Sequence, residues 1–549
     1  MRRASLRNAN VIPMTDHGSS YLLMIHSLSS ILRRALGDRV QAIGILVPTR
    51  ELRPLSQENS PVSLSVVHLG LVLNTENAFR LVERGPVATE QDSREAIEFR
   101  DLWGNKAELR RFRDGRIVES VVWDVKSTDA CSRIPADIVC HTLCRHFGLD
   151  PARDIQTFQE DFDDLLRIPD AFAQQFVLHG SQPSFRTAMT AFDILIRLLK
   201  SLDEEIPLSI LAISPVSSLL RYTEVFIPTP VPPKSAGSLP SSMSYLPSME
   251  ILIQFERSGR WPDDLIAIQE MKLAFFEQMA NALMAKVSGL RANIVTGTQQ
   301  ATLASLDTAY LEIVTPEGWA FAARIWHDRE ATLLNRILIK KSLVSNGASS
   351  VSDEQAHRQL ASKAYENYAR RYLHAPKHHR AVTSLCHRFS AFAGTVRLVK
   401  RWLSAHWVLA GHVSSEAIEL LCAYVFVGNT GSGLQGGDKA RVDVPGTKEL
   451  GFFRALEFLK EWTWESGLFV ALYESEGDTD DLDENAAVHA KAGSRIGVWT
   501  ISTNKDRSGR IWTAEGPSAV VARRIKALAS ASVEHALAHE REGFVPKVS

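Results

Sequence analysis

Apolar residues fall along this chain in two rhythms, and the clearest change of rhythm lies between residues 249 and 286. Positions 250–255 run apolar or β-tolerant at strand length and stop before Ser258-Gly259, which predicts a strand followed by a tight turn. Pro262 is placed to enter a helix, with Asp263 and Asp264 in a first turn facing the positive end of the helix dipole. Leu265, Ile268, Lys272, Phe275, Phe276, Met279 and Leu283 then recur at steps of three and four, which predicts a long helix with one buried face.

The same reading carries through the rest of the chain. It predicts a helix over 21–36, strands over 39–47 and 63–73, and a short helix over 77–82. A hairpin follows, its strands 107–112 and 117–122 joined at Asp114-Gly115, then a helix over 134–147 closed by Gly148. Residues 150–182 are irregular and acidic, as a linker would be. A helix over 185–202 precedes strands over 207–213 and 220–227, and residues 228–247, with six prolines, read as an exposed loop. Two further strands, 308–314 and 319–326, turn at Pro316-Glu317-Gly318. From residue 353 the pattern is helical (353–373, 381–389, 392–409, 415–426, 450–464), with a break expected at Pro376. A strand over 495–501 and a helix over 518–537 complete an α+β chain.

Composition narrows this picture. At 549 residues the chain has room for roughly three domains, and 45% hydrophobic with 23% charged residues is ordinary for globular protein. A formal charge of −1 gives no global field toward nucleic acid or membrane, so any such binding rests on a local patch. No run reaches about 18 apolar residues, so no membrane span is expected, and the opening Met1-Arg2-Arg3 reads as a flexible tail without a signal-peptide core. Five cysteines (Cys131, Cys140, Cys144, Cys386, Cys422) do not make a disulfide framework. Cys140 and Cys144, near His141 and His146, lack paired zinc-ligand spacing and read as buried helix residues. The glycine-rich 428–446 lacks the Gly-Lys-Ser/Thr of a phosphate loop, and 474–484, with seven acids, reads as a solvated loop.

Two basic stretches stand out. In the 107–122 hairpin, Arg110, Arg111 and Arg113 suit phosphate contact, or else form a solvated face. Between residues 363 and 410, nine basic residues (Lys363, Arg370, Arg371, Lys377, Arg380, Arg388, Arg397, Lys400 and Arg401) face one acid, Glu366. Tyr365, Tyr368, Tyr372, Trp402 and Trp407 are interleaved with them, a combination that suits a sugar-phosphate backbone with stacked bases. An excess of one sign this large repels itself unless something neutralises it, and RNA is the expected neutraliser. His374, His378 and His379 surround Pro376 without a nearby carboxylate in sequence to orient them as metal ligands, and no metal or cofactor is expected.

Several of these stretches together resemble the nucleolar RNA-associated protein (Nrap) family. The strand with Ser258-Gly259-Arg260-Trp261-Pro262-Asp263-Asp264 and its helix is similar to that family's fourth region, as is Leu220-Arg221-Tyr222-Thr223 with Val225-Phe226. Trp103-Gly104, Glu108-Leu109-Arg110-Arg111-Phe112 and Asp114-Gly115 resemble the third. Thr395-Val396-Arg397-Leu398 with Lys400-Arg401-Trp402, and Trp512-Thr513 with Gly516-Pro517-Ser518, resemble the fifth. The first two regions have no counterpart and the last barely begins at Gly543-Phe544, as in a fragment or a truncated gene product. The resemblance implies a small α+β domain (1–150), a linker (151–184), a nucleotidyltransferase-like mixed-sheet domain (185–360), a mainly helical poly(A) polymerase/oligoadenylate-synthetase-like domain (361–535) and the start of a last region (536–549). It further implies a scaffold of the small-subunit processome in the nucleus and nucleolus, with pre-rRNA, small nucleolar ribonucleoprotein and other processome proteins as partners, and no membrane.

The residues test the enzymatic half of that resemblance. Nucleotidyl transfer holds two metal ions on carboxylates projecting from one face of adjacent strands. Here Ser217 and Ser218 stand where a Gly-Ser turn belongs, Glu224 has Phe226 as its same-face partner, and Glu250 is followed on its face by Leu252. Ser217, Ser218, Glu224 and Glu250 are therefore expected to be vestigial positions and the chain a non-catalytic RNA- and protein-binding scaffold. The alternatives are an active terminal nucleotidyltransferase using Glu224 and Glu250, and a protein-only scaffold whose basic face meets an acidic partner.

Overall fold

The computed structural model describes residues 2–7, 18–46, 66–87, 93–125, 129–157, 160–168, 184–231, 248–296, 309–339, 351–427, 444–473 and 497–541. The expectations for 232–247, for most of the glycine-rich 428–446, for the acidic 474–484 and for Gly543-Phe544 lie outside these residues, as does much of the expected linker. The chain is α+β and divides into two compact units: Met1–Leu165 with Asp443–Gly451, and Leu166–Val442 with Phe452–Ser549. No helix among the described residues is long and apolar enough to cross a membrane.

In the first unit, β1 (Arg2–Arg7), α1 (Gly18–Leu36), β2 (Val40–Leu46), β3 (Val66–Leu73), β4 (Val82–Val87), α2 (Arg94–Trp103), β5 (Glu108–Arg111), β6 (Ile117–Val122), α3 (Ile134–Phe147) and β7 (Ile155–Thr157) build two sheets, β2-β3-β1-β7 and β4-β6-β5. Leu32, Leu36, Leu69, Trp103, Val121, Ile134, Ile138 and Leu143 are buried between these elements. The expected tail is instead β1, antiparallel to both β3 and β7. The short helix expected over 77–82 is a turn. Its Ala78 carbonyl accepts from the buried Arg39 guanidinium at 3.0 Å, so it is taken by a side chain, and the chain straightens into β4. Gly148 does close α3, in the left-handed conformation (φ 65°), with its N–H on the Cys144 carbonyl.

The second unit is organised on one sheet of order β10-β11-β12-β9-β8, made of β8 (Ile210–Pro215), β9 (Met249–Phe255), β10 (Arg291–Val295), β11 (Tyr310–Val314) and β12 (Ala320–Trp326). Only the β9–β12 pair is parallel, and the other neighbours are antiparallel. Met249, Ile251, Ile253 and Phe255 turn one face of β9 into the core. Helices α4 (Glu160–Asp164), α5 (Phe185–Lys200) and α6 (Leu265–Lys286) come before or between these strands, α4 in the first unit. The buried face of α6 is the one its spacing predicts, including Lys272, whose ammonium is 2.9 Å from the Glu330 carboxylate. Its start differs from expectation. Asp264 is the cap, accepting from the Ala267 N–H at 2.9 Å, and Pro262 precedes the helix altogether.

The helical part runs through α7 (Asp328–Ile339), α8 (Val351–Tyr368), α9 (Ala375–Arg388), α10 (Phe392–Ala405), α11 (Ser415–Val427), α12 (Lys448–Glu461) and α13 (Ala519–Arg541), with a small parallel pair β13 (Leu468–Val470) and β14 (Ile501–Thr503). No break occurs at Pro376. A π-helical turn, Ala369–His374, joins α8 directly to α9, and the proline falls in the first turn of α9, immediately after that wider turn.

Candidate functional site

The other face of β9 carries the half-buried Glu250 and Gln254 with the buried Leu252 between them. Lateral pairing puts Glu250 opposite Ala322 and Leu252 opposite Arg324 on β12. Ser214 on β8 lies opposite Leu252. A two-metal centre would need acids close together on this face, and the positions adjoining Glu250 are filled by leucine, alanine, arginine and serine. Arg324 donates from Nε to Glu250 Oε1 at 2.8 Å and also stands over the Tyr310 ring. A second guanidinium, that of Arg371 in the π-helical turn, is 3.6 Å from the same oxygen. Two fixed positive charges thus occupy the carboxylate where a metal ligand would be free.

Sequence reasoning passed over Glu312. It pairs with Ala322 from the other side, so it shares this face, two strand spacings (about 10 Å) from Glu250. Only the strand register could have revealed it.

The other vestigial positions lie off the sheet. After β8 the chain forms a 3₁₀ turn, Ser218–Arg221, capped by Ser217, which accepts from the Leu219 N–H at 3.3 Å. Tyr222 closes it in the left-handed region (φ 65°). Ser218 donates from Oγ to Glu224 at 2.5 Å. The expected strand over 220–227 is therefore absent, and its absence has two causes. Arg397 donates to the Glu224 and Val225 carbonyls at 3.1 and 3.2 Å, which occupies groups a strand would pair. Arg221 and Thr223 are also drawn inward to a single buried carboxylate, that of Glu419 on α11.

Glu419 is the centre of a cluster absent from the sequence reading. Its Oε1 accepts from Lys400 at 2.7 Å and Thr223 at 2.6 Å; its Oε2 accepts from Arg221 at 2.9 Å and His378 Nε2 at 2.7 Å. Burial alone would raise this carboxyl, but Arg221 and Lys400 overrule burial and hold it well below the usual range. Arg221 also reaches Glu416 at 3.1 Å and the Val216 carbonyl at 2.6 Å. His374 and His379 are buried nearby in sequence, and burial pushes them down to about 4 and about 3. Among the described residues no group of three or more His, Cys, Asp or Glu side chains is arranged to hold a metal ion.

These contacts revise the basic stretch. Lys400 and Arg397 are 1% and 5% exposed and cannot meet RNA in this conformation. Arg401 lies half-buried against Phe226, and Lys377 is half-buried. Arg370 pairs with Glu515 at 3.5 Å. Part of the local excess is met by acid from elsewhere in the same unit: Glu515 on Arg370, Glu250 on Arg371 and Glu419 on Lys400. Arg380 and Arg388 remain exposed. Tyr365, Tyr368 and Tyr372 are buried, and Trp402 bonds to Ser532, so of the five interleaved aromatics only Trp407 stands in solvent. In the first unit Arg110, Arg111 and Arg113 are exposed on the hairpin, Arg110 bonded to Glu108 at 2.8 Å.

Three consecutive family models match the chain: Nrap protein domain 3 over residues 2–148, Nrap protein nucleotidyltransferase domain 4 over 161–387, and Nrap protein PAP/OAS1-like domain 5 over 389–545. The chain belongs to the Nrap family. Among its relatives is U3 small nucleolar RNA-associated protein 22 of Saccharomyces cerevisiae, 28% identical over 88% of this chain and 36% of that protein. The Schizosaccharomyces pombe protein of the same name is 29% identical over 97% of this chain and 45% of its own length. Human nucleolar protein 6 is 28% identical over 94% of this chain and 42% of that protein. The chain thus spans less than half the length of these relatives. Within the family match, Arg221 and Glu250 fall under domain 4, and Lys400 and Glu419 under domain 5. The buried cluster therefore ties the nucleotidyltransferase-like part to the helical part from the inside.

Proposed function

We propose that this chain is a non-catalytic, RNA- and protein-binding scaffold of ribosome biogenesis, acting in the nucleolus on pre-rRNA processing and small-subunit assembly. The observation that carries the proposal is Glu250, held by Arg324 and Arg371 on a sheet face where its immediate neighbours are Leu252 and Ala322. A carboxylate already held by two guanidiniums is a poor ligand for a divalent ion, and the second acid on this face, Glu312, stands two strand spacings (about 10 Å) away rather than beside it. The names of the relatives, which associate them with U3 small nucleolar RNA and the nucleolus, support the setting and point to small nucleolar ribonucleoprotein and processome proteins as partners.

The test has two arms. Labelled ATP offered with RNA and magnesium or manganese should give no incorporation above background; incorporation abolished by Glu250→Ala would overturn the non-catalytic reading. For RNA, filter binding should weaken on charge reversal at the exposed Arg380 and Arg388, or at Arg110, Arg111 and Arg113. The burial of Arg397 and Lys400 and the pairing of Arg370 and Arg371 with acids favour a second reading, a scaffold that meets only protein. Competition separates the two, because added RNA displaces an acidic protein partner only if both use the same surface.

A further inference from the structure

Helix α10 is capped by His406 (φ −92°), and the next residue, Trp407, has φ 59°. The Trp407 N–H reaches the Ser404 carbonyl at 3.0 Å and the Val408 N–H reaches the Leu403 carbonyl at 3.0 Å. Val408 and Leu403 are both buried. This is the Schellman ending, in which the left-handed position after the cap is ordinarily glycine, because a Cβ there is strained. Here it holds the largest side chain available, 87% exposed, without a hydrogen bond or ring contact among the described residues. Neither local backbone preference nor packing accounts for a tryptophan at this point. Glycine would serve the turn better and would remove an apolar surface from water.

We propose that Trp407 is a stacking platform for an unpaired RNA base. The proposal rests on the RNA-binding reading above and locates one contact within it. Charge complementarity favours nucleic acid as occupant. Residues 404–412 contain no acid and include His406 and His412. The exposed Arg524 donates one guanidinium N–H to the His406 carbonyl at 3.4 Å, which places a cation within one residue of the indole, where a phosphate would follow a stacked base. The two hydrogen bonds of the turn fix the backbone, so the ring is presented with little freedom to lose on binding.

The experiment compares the wild-type chain with W407G, W407F and R524A, using a labelled single-stranded oligoadenylate and an RNA duplex of equal length as probes. W407G relieves the backbone strain, so its melting temperature should equal or exceed that of the wild type. Its affinity for the single strand should fall about tenfold, as loss of one stacked base requires, with duplex affinity unchanged. W407F should retain most of the single-strand affinity, and R524A should weaken it and flatten its salt dependence. If W407G binds the single strand as the wild type does while charge reversal at Arg380 and Arg388 weakens binding, the stacking inference fails and the RNA reading stands. If the wild type binds neither probe, both fail. A lower melting temperature for W407G, or equal weakening toward both probes, would mean that the tryptophan is structural and would also overturn the inference.

Discussion

Replacing Glu419 by glutamine should be among the most damaging single-atom changes in the second unit. The substitution keeps the shape and removes one negative charge from a site with no water-facing surface. Four donors converge on the carboxylate within 2.6–2.9 Å, two of them the full charges of Arg221 and Lys400. Glutamine offers one acceptor oxygen and puts N–H groups where the other accepted, so Lys400 would be left without a counter-charge and Arg221 with Glu416 alone, at 3.1 Å. Removing one partner of a buried pair costs about 3–5 kcal/mol, and with two cations affected the upper part of that range applies. Melting followed by near-UV circular dichroism should fall by roughly 5–10 °C. A double-mutant cycle sharpens the test. Lys400→Met should destabilise the wild type but stabilise E419Q, because there it removes an orphaned buried charge. A melting point for E419Q within about 1 °C of wild type, or Lys400→Met acting equally in both backgrounds, would refute the account of the cluster.

Acid should destabilise the protein in two stages. His374 and His379, lowered by burial from 6.5 to about 4 and about 3, bind protons more readily unfolded than folded, so their contribution is complete above pH 6.5 and is lost as pH falls, at up to about 1.4 kcal/mol per pH unit each. Glu419, also depressed when folded, adds a further loss below about pH 4.5, which E419Q should lack when urea unfolding is followed across pH. Gly148→Ala should cost about 1 kcal/mol in thermal melts purely from its backbone conformation, since no atom crowds the added Cβ. Reversing Arg110, Arg111 and Arg113 together should leave melting unchanged while lowering RNA affinity and the steepness of its salt dependence.

Elements governed by nearest neighbours were legible in the sequence. The Asp114-Gly115 turn, the Gly148 stop and the apolar face of α6 are each written within a few residues of where they act. The 220–227 segment reads as a strand for the same local reasons, yet it is bent into a 3₁₀ turn because Arg221 bonds to a carboxylate 198 positions away. The turn at Ala78 follows the same logic, with Arg39 taking a carbonyl 39 positions on. For the candidate site, Glu250 was legible as an isolated acid, but the arginines that neutralise it come from another strand and from a π-helical turn that no periodicity signals. A count of charges along 363–410 gives a basic field; in three dimensions three of its nine cations, Arg370, Arg371 and Lys400, pair with acids from outside the window.

The buried cluster bears on the proposed non-catalytic role. An enzyme of this kind admits nucleotide and releases product by letting its parts move, commonly as lids or domains that open and close. Here the turn after β8 is fastened to α9, α10 and α11 through Glu419, and Arg397 fastens the following residues as well. Opening this joint would expose or orphan at least three buried charges in each cycle, at several kcal/mol, comparable with the stability of a whole domain. A joint so costly to open suits a platform whose task is to hold partners at fixed spacing. The sheet's core, β9 against α6, and the Glu419 link to the helical part both lie away from the sheet face that carries Glu250, whose own pairing with Arg371 adds a further tie to the helical part.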